Sequence, residues 1–234
     1  MLLSEIVLTD AAQAQDFPKL RERMVQEVDA MYTQTRSETG LAAMSEPVRR
    51  ALGKVERHRL LPSPQGTASY GNHPLPIGNG QTISQPYIVA LSTDLAQVDS
   101  KSVVLDVGTG SGYQAAVLAE IAARVYSIEI IPSLGREAEK RLEGLGYGNI
   151  EIKIGDGYNG WPEKAPFDAI VVTAAAPRVP QALLEQLKPG GRLVIPVGGD
   201  GDIQYLKLIT RRADGGYAEK RVLAVRFVPL VPGK

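Results

Sequence analysis

A chain of 234 residues with 44% apolar content can build one substantial core, and its 26 basic and 26 acidic side chains leave no net charge to draw it to nucleic acid or anionic lipid. The absence of cysteine excludes a disulfide framework, thiolate catalysis and cysteine metal sites. No stretch approaches the roughly 20 apolar residues of a membrane span.

From the N-terminus, Met1-Leu2-Leu3 begins apolar and Ala12-Gln13-Ala14 resembles a cleavage site, but Glu5 and Asp10 interrupt the run and no basic residue precedes it. Residues 1–16 are read as a flexible tail and the location as cytoplasmic, with periplasmic export as the alternative. Phe17, Leu20, Met24, Val28 and Met31 recur at helical spacing and predict an amphipathic helix over about 17–34, read as a cover for the core. Ser45-Glu46-Pro47 starts a second helix with Val48, Leu52 and Val55 inward. From Glu56 to Gly80, prolines and glycines forbid a long helix or a central strand. Leu60, Leu61, Tyr70, Leu75 and Ile77 argue that this loop is ordered. Pro86 to Leu91 then reads as a helix capped by Thr82 or Ser84.

Val103 to Val107 is a strand, Gly108, Gly110 and Gly112 form a tight turn, and Ala115 to Ile121 continue as a buried helix. Strands follow at 125–129, 150–154, 167–173 and 193–197, with helices at 132–145 and 180–187 between them. Residues 203–211 and 220–228, separated by Ala213-Asp214-Gly215-Gly216, read as an antiparallel pair. The whole is an α/β, doubly wound, Rossmann-like sheet with an antiparallel C-terminal strand pair and an N-terminal helical extension. It forms one domain, in which residues 17–80 cap a core of 81–234.

Such a turn seats either a dinucleotide or S-adenosyl-L-methionine. The dinucleotide pattern spaces its glycines G-x-G-x-x-G, whereas here the third position is the bulky Tyr113 and the third glycine comes early, at Gly112. The spacing favours the methyl donor, which has no pyrophosphate to seat. Glu129 ends the second core strand near the offset at which an acid meets a ribose diol; Asp156, with Gly157, ends the third and is read against the adenine edge; Asp106 precedes the turn and is read as orienting its amides and facing a cationic ligand. The competing account is that each acid merely caps a loop or helix.

The acceptor is read from what is missing. The segment Val172 to Pro177 carries no Asn/Asp-Pro-Pro-aromatic turn, and His58 and His73, the only histidines, both lie in the proline-rich loop. A carboxylate acceptor needs no general base, because with an unperturbed pKa near 4 it is ionised at neutral pH. It needs only donors to hold it and a dry pocket, and Thr82-Ile83-Ser84 offers a hydroxyl and free amides.

At these residues the chain resembles a known family. Leu75 to Tyr87 is similar to the active-site segment of protein-L-isoaspartate O-methyltransferases, and Asp106 to Ala116 is similar to their donor loop. Gly155-Asp156-Gly157, Ala165 to Asp168 with Val172 to Pro177, and Val225 to Leu230 match further blocks, so that the likeness spans about 45–231. The resemblance implies a class I methyltransferase that moves a methyl group from S-adenosyl-L-methionine to the α-carboxylate of isoaspartyl residues in damaged proteins and peptides. By the same likeness Ser84 is the hydroxyl that holds the acceptor; the residues expected around the donor are Thr82, Ile83, Asp106, Gly108, Gly110, Gly112, Glu129, Asp156 and Gly157. No metal, nucleic acid or membrane is implied, and a monomer is expected. Two departures stand out: Tyr70-Gly71-Asn72-His73 lacks the acids the family usually places there, and the leading forty residues have no firm counterpart in its shortest members. The alternatives are a methyltransferase with a small-molecule carboxyl or hydroxyl acceptor, and a catalytically silent nucleotide-binding module.

Overall fold

Along β3 (Val103–Val107) and β6 (Phe167–Val172) successive side chains enter different cores, as strand geometry requires. Val104, Ala169 and Val171 pack to one side; Leu105, Val107, Ile170 and Val172 pack to the other, and Phe167 joins the latter across an irregularity in the register before Ala169. A computed structural model describes residues 16–199 and 201–233 and shows a seven-stranded sheet covered on both faces.

The sheet order is β5 (Ile150–Ile154), β4 (Arg124–Glu129), β3, β6, β7 (Leu187–Val197), β8 (Gln204–Arg211), β9 (Tyr217–Val225). Pairings from β5 through β7 are parallel and the last two are antiparallel. On one face lie α1 (Phe17–Thr39), α2 (Glu46–Lys54), α3 (Pro86–Ala96), α4 (Tyr113–Ala119) and α5 (Pro132–Gly144); the other is covered by α6 (Gln181–Glu185) and the turns after β5. A separate hairpin, β1 (Leu75–Gly78) with β2 (Gln81–Ile83), stands before α3.

Several elements depart from expectation for local reasons. The first helix runs on to Thr39, where Gly40 at φ 78 takes the left-handed cap that ends it. Asp16, assigned to the tail, is its N-cap and accepts the Lys19 amide at 3.1 Å; residues 1–15 of that expected tail, and the suspected cleavage site, lie outside the described residues. Neither Thr82 nor Ser84 caps α3. Thr82 lies in β2, the helix begins at Pro86, and the Tyr87 amide is met at 3.0 Å by the side chain of Asn72. β7 begins six residues before the expected Leu193 and incorporates the Pro189-Gly190-Gly191 stop. β9 lies earlier than expected and ends at Val225, because the side chain of Gln204 takes both the Phe227 amide and the Phe227 carbonyl out of the ladder.

The 56–80 segment is ordered, as its apolar residues suggested: Leu60, Leu61, Tyr70, Leu75 and Ile77 are buried between two 3-10 turns and the hairpin. Met24, Val28 and Tyr32 of α1 are fully buried, which at ~1.5–3 kcal/mol per large apolar side chain makes this helix an integral wall of the core.

Candidate functional site

Strand order reverses between β3 and β6, the point at which an open α/β sheet leaves a crevice at its carboxyl edge. Gly108 follows one strand and Thr173 the other. The Thr173 hydroxyl donates to the Gly108 carbonyl at 2.7 Å, and its amide donates to the Val107 carbonyl at 2.9 Å. Gly108 stands at φ 100, and a Cβ there would lie 2.7 Å from the Thr173 hydroxyl oxygen, so only glycine fits. Gly110 and Gly112 are left-handed too, at φ 52 and 88.

The turn is held from β4. Ile128 carbonyl oxygen accepts the amides of Gly108 and Thr109, and Glu129 Oε2 accepts the Gly110 amide at 2.8 Å while its Oε1 accepts the Ile131 amide at 2.9 Å. A carboxylate offers about four lone-pair sites, so these two amides leave one on each oxygen for a ligand's hydroxyls. Glu129 therefore does two things at once: it shapes the glycine turn and it borders the cleft beside it. That cleft, about 580 Å³ with the open solvent at its mouth, is lined by Thr82, Gly108, Gly110, Glu129 and Gly157.

The other expected donor residues take different places. Asp106 is fully buried and does not border the cleft. Ser127 Oγ donates to its Oδ2 at 2.8 Å, and Thr109 Oγ1 lies 2.6 Å from that same Ser127 oxygen. Its expected role of orienting the turn's amides passes to Ile128 and Glu129; Asp106 supports the turn from below through two hydroxyls. Burial is the largest cause pushing its carboxyl up, to about 7, with the Glu129 charge adding and the Ser127 hydrogen bond opposing. Asp156 accepts the Tyr158 amide on Oδ1 and the Gly233 amide on Oδ2, each at 2.8 Å, so its oxygens hold the local turn and the C-terminal segment. Gly157 does border the cleft, and a Cβ on it would lie 2.5 Å from Val107 Cγ1. Ile83 is 2% exposed, and its side chain joins the core instead of reaching a ligand. Gly112 is a packing site, since a Cβ on it would meet Leu142 at 2.9 Å.

A second, wider groove of about 1280 Å³ adjoins the first, and Thr82, Thr173 and Val228 border both. Ser84 lies in this groove, half-buried, and its hydroxyl has no hydrogen-bond partner among the described residues. The same groove is lined by Tyr87, Phe227 and, from α1, Met31 and Thr35. The first helix is thus more than a cover, a point its amphipathic pattern could not disclose because Met31 reads equally well as core. Thr173 was also missed; its position directly after a central strand was the available signal. Neither histidine borders either space. His58 stacks on Phe17 at a ring separation of 4.0 Å and pairs with the Tyr70 hydroxyl, and His73 meets the neighbouring Pro74 carbonyl.

The arrangement can hold a ligand bearing vicinal hydroxyls in one cleft and a hydrogen-bond acceptor in the other, with Thr82, Thr173 and Val228 shared at their border. A family model described as protein-L-isoaspartate(D-aspartate) O-methyltransferase matches residues 26–234. The chain is 55% identical over 207 residues to protein-L-isoaspartate O-methyltransferase 2 of Polaromonas sp., covering 88% of this chain and 98% of that one. It is 49% identical over 235 residues to protein-L-isoaspartate O-methyltransferase 2 of Syntrophobacter fumaroxidans, covering 100% and 95%. Among solved structures it is similar to a putative protein-L-isoaspartate O-methyltransferase from Plasmodium falciparum in complex with S-adenosyl-L-homocysteine, at a TM-score of 0.72 and 25% identity over 93% of this chain and 99% of that one.

Proposed function

Because the chain belongs to the protein-L-isoaspartate(D-aspartate) O-methyltransferase family, we infer that it performs the family's repair reaction, moving a methyl group from S-adenosyl-L-methionine to isoaspartyl carboxylates of damaged proteins and peptides. The observation that carries the assignment of its parts is the junction of the two spaces at Thr82 and Thr173, with the turn and Glu129 on one side and the unpaired Ser84 hydroxyl on the other.

In this reading the cleft at Gly108, Gly110, Glu129 and Gly157 takes the donor. Gly108 lets the backbone approach closely, and the free lone pairs of Glu129 accept the ribose hydroxyls. Thr82 borders the donor where the groove begins. Ser84 donates its hydroxyl to one oxygen of the acceptor carboxylate, leaving the other to attack. The carboxylate oxygen forms the new bond to the methyl carbon as the carbon–sulfur bond breaks, the electron pair stays on sulfur, and the products are the methyl ester and S-adenosyl-L-homocysteine. No proton moves, which accounts for a groove without a histidine. What the chain supplies is alignment and a wall of apolar residues that strengthens the attraction between sulfonium and carboxylate. Asp106 and Asp156 serve this reading indirectly, through the turn and the C-terminal segment. Cytoplasmic action as a monomer, without nucleic acid, belongs to the same proposal; zero net charge supports the last point.

The test uses labelled donor with matched peptides carrying Asp or isoAsp, followed by mild base. Label should enter only the isomerised peptide and leave as methanol. A base-resistant product, or equal labelling of both peptides, would defeat the reading.

A further inference from the structure

Arg57 is the largest fully buried side chain in the described residues, and its guanidinium reaches no carboxylate among them. Its Nε donates to the Ser69 carbonyl at 3.0 Å, Nη1 to the Ser84 carbonyl at 2.8 Å and Nη2 to the His73 carbonyl at 3.2 Å. Its carbon stands 4.7 Å over the centroid of the Tyr113 ring. Burial lowers its pKa to about 10, so it keeps its charge at neutral pH.

Two of these carbonyls have a particular place in the fold. His73 lies just before β1 and Ser84 just after β2, so one guanidinium grips both feet of the hairpin formed by Leu75 to Ile83. That hairpin carries Thr82 to the border between donor cleft and acceptor groove. Tyr113, beneath the same guanidinium, is the first residue of α4 after the glycine turn. Three chain segments that are separate in sequence thus converge on one rigid, planar donor set.

A buried charge without a counter-charge is a costly way to fill space, and an apolar side chain of similar volume is commonly neutral or better for stability. A guanidinium does what such a residue cannot: it fixes the directions of several carbonyls at once through its fork of donors. We propose that Arg57 is the positioning residue of the acceptor site, holding the hairpin's two feet so that the Ser84 hydroxyl and Thr82 face the border between donor and acceptor. The proposal rests on the reading of Ser84 given above for its consequence in turnover, but not for its consequence in the hairpin.

Arg57→Lys is the informative variant, because the ammonium keeps a cation over Tyr113 but cannot span three carbonyls. Three experiments are made: amide hydrogen exchange of a peptide covering residues 75–84, titration for donor Kd, and steady-state kinetics for kcat and KM with an isoaspartyl peptide. Exchange in the hairpin should rise while that of β3 and β4 is unchanged, donor Kd should hold within about twofold, and kcat/KM should fall by about ten- to hundredfold, as loss of hydrogen bonds to a charged group implies. Unchanged hairpin exchange, a uniform rise across the whole chain, or undiminished kcat/KM overturns the proposal. If Ser84→Ala alone leaves turnover intact, the reading of Ser84 fails by itself, and the local exchange of Arg57→Lys still decides whether Arg57 holds the hairpin. Should Arg57→Lys not fold, Arg57→Gln, which keeps an amide donor without the buried charge, is measured in the same three ways.

Discussion

Glu129 reaches across 19 residues of sequence to accept the Gly110 amide at 2.8 Å, so the acid expected to meet the ribose also shapes the glycine turn proposed to hold the donor. The two roles predict a compound effect. Glu129→Ala should raise the donor dissociation constant by about ten- to hundredfold, as loss of charged hydrogen bonds of ~1.5–3 kcal/mol implies. It should also quicken exchange of the Gly110 amide. Calorimetry showing equal donor affinity would leave Glu129 with its structural role alone.

Ser84 presents a free hydroxyl in the wide groove and makes no side-chain hydrogen bond that its removal would break among the described residues. Ser84→Ala should therefore leave thermal stability and donor affinity near those of the parent. Turnover should fall by roughly tenfold or more, the worth of one charge-assisted hydrogen bond. Steady-state kinetics at saturating donor is the measurement, and normal turnover would end the assignment.

Asp106 offers a pH signature. Its carboxyl, raised by burial to about 7, lies above the unfolded value of about 4, so the folded chain binds the extra proton between those limits. The stability this group contributes is complete below about pH 4 and is lost as pH rises through about 7. Asp106→Asn should thus gain on the parent steadily as pH is raised across that window in urea unfolding. A gap that stays constant with pH would mean that Asp106 titrates like an exposed acid.

Gly157 allows a rescue experiment. It does not need a positive φ, and its obstacle is Val107 Cγ1, 2.5 Å from where a Cβ would stand. Gly157→Ala should cost about 1–3 kcal/mol, the usual penalty of overpacking, and weaken donor binding at the cleft it borders. Adding Val107→Ala removes the offending methyl and should restore part of the lost stability relative to Val107→Ala alone. Purely additive losses in a thermal-unfolding cycle would show that the clash is not the cause.

The strand, glycine turn and helix from Val103 to Ala119 were legible because each step is local: β-branched residues, then positive φ, then helix formers. Glu129 was legible for a related reason, since a parallel sheet places the next strand's end beside the first turn. Where the reading slipped, a distant group had intervened. Thr82 and Ser84 looked like helix caps, but Asn72 takes that position on the Tyr87 amide. Residues 226–228 looked like strand, but Gln204 claims the Phe227 backbone.

What the amino-acid order determined alone was the α/β alternation and the strand, glycine turn and helix at its centre, since these rest on periodicity and backbone freedom; the carboxylate acceptor was an expectation from the lack of a base, strengthened by the family resemblance. What only the folded chain decided was which polar groups face a ligand and which face one another. Asp106, Asp156 and Glu129 are alike as strand-end acids, yet one is buried on a serine, one holds the C-terminal segment, and one borders the cleft. A buried polar atom takes whatever partner packing brings within about 3 Å, and that choice is settled by contacts between residues far apart in sequence.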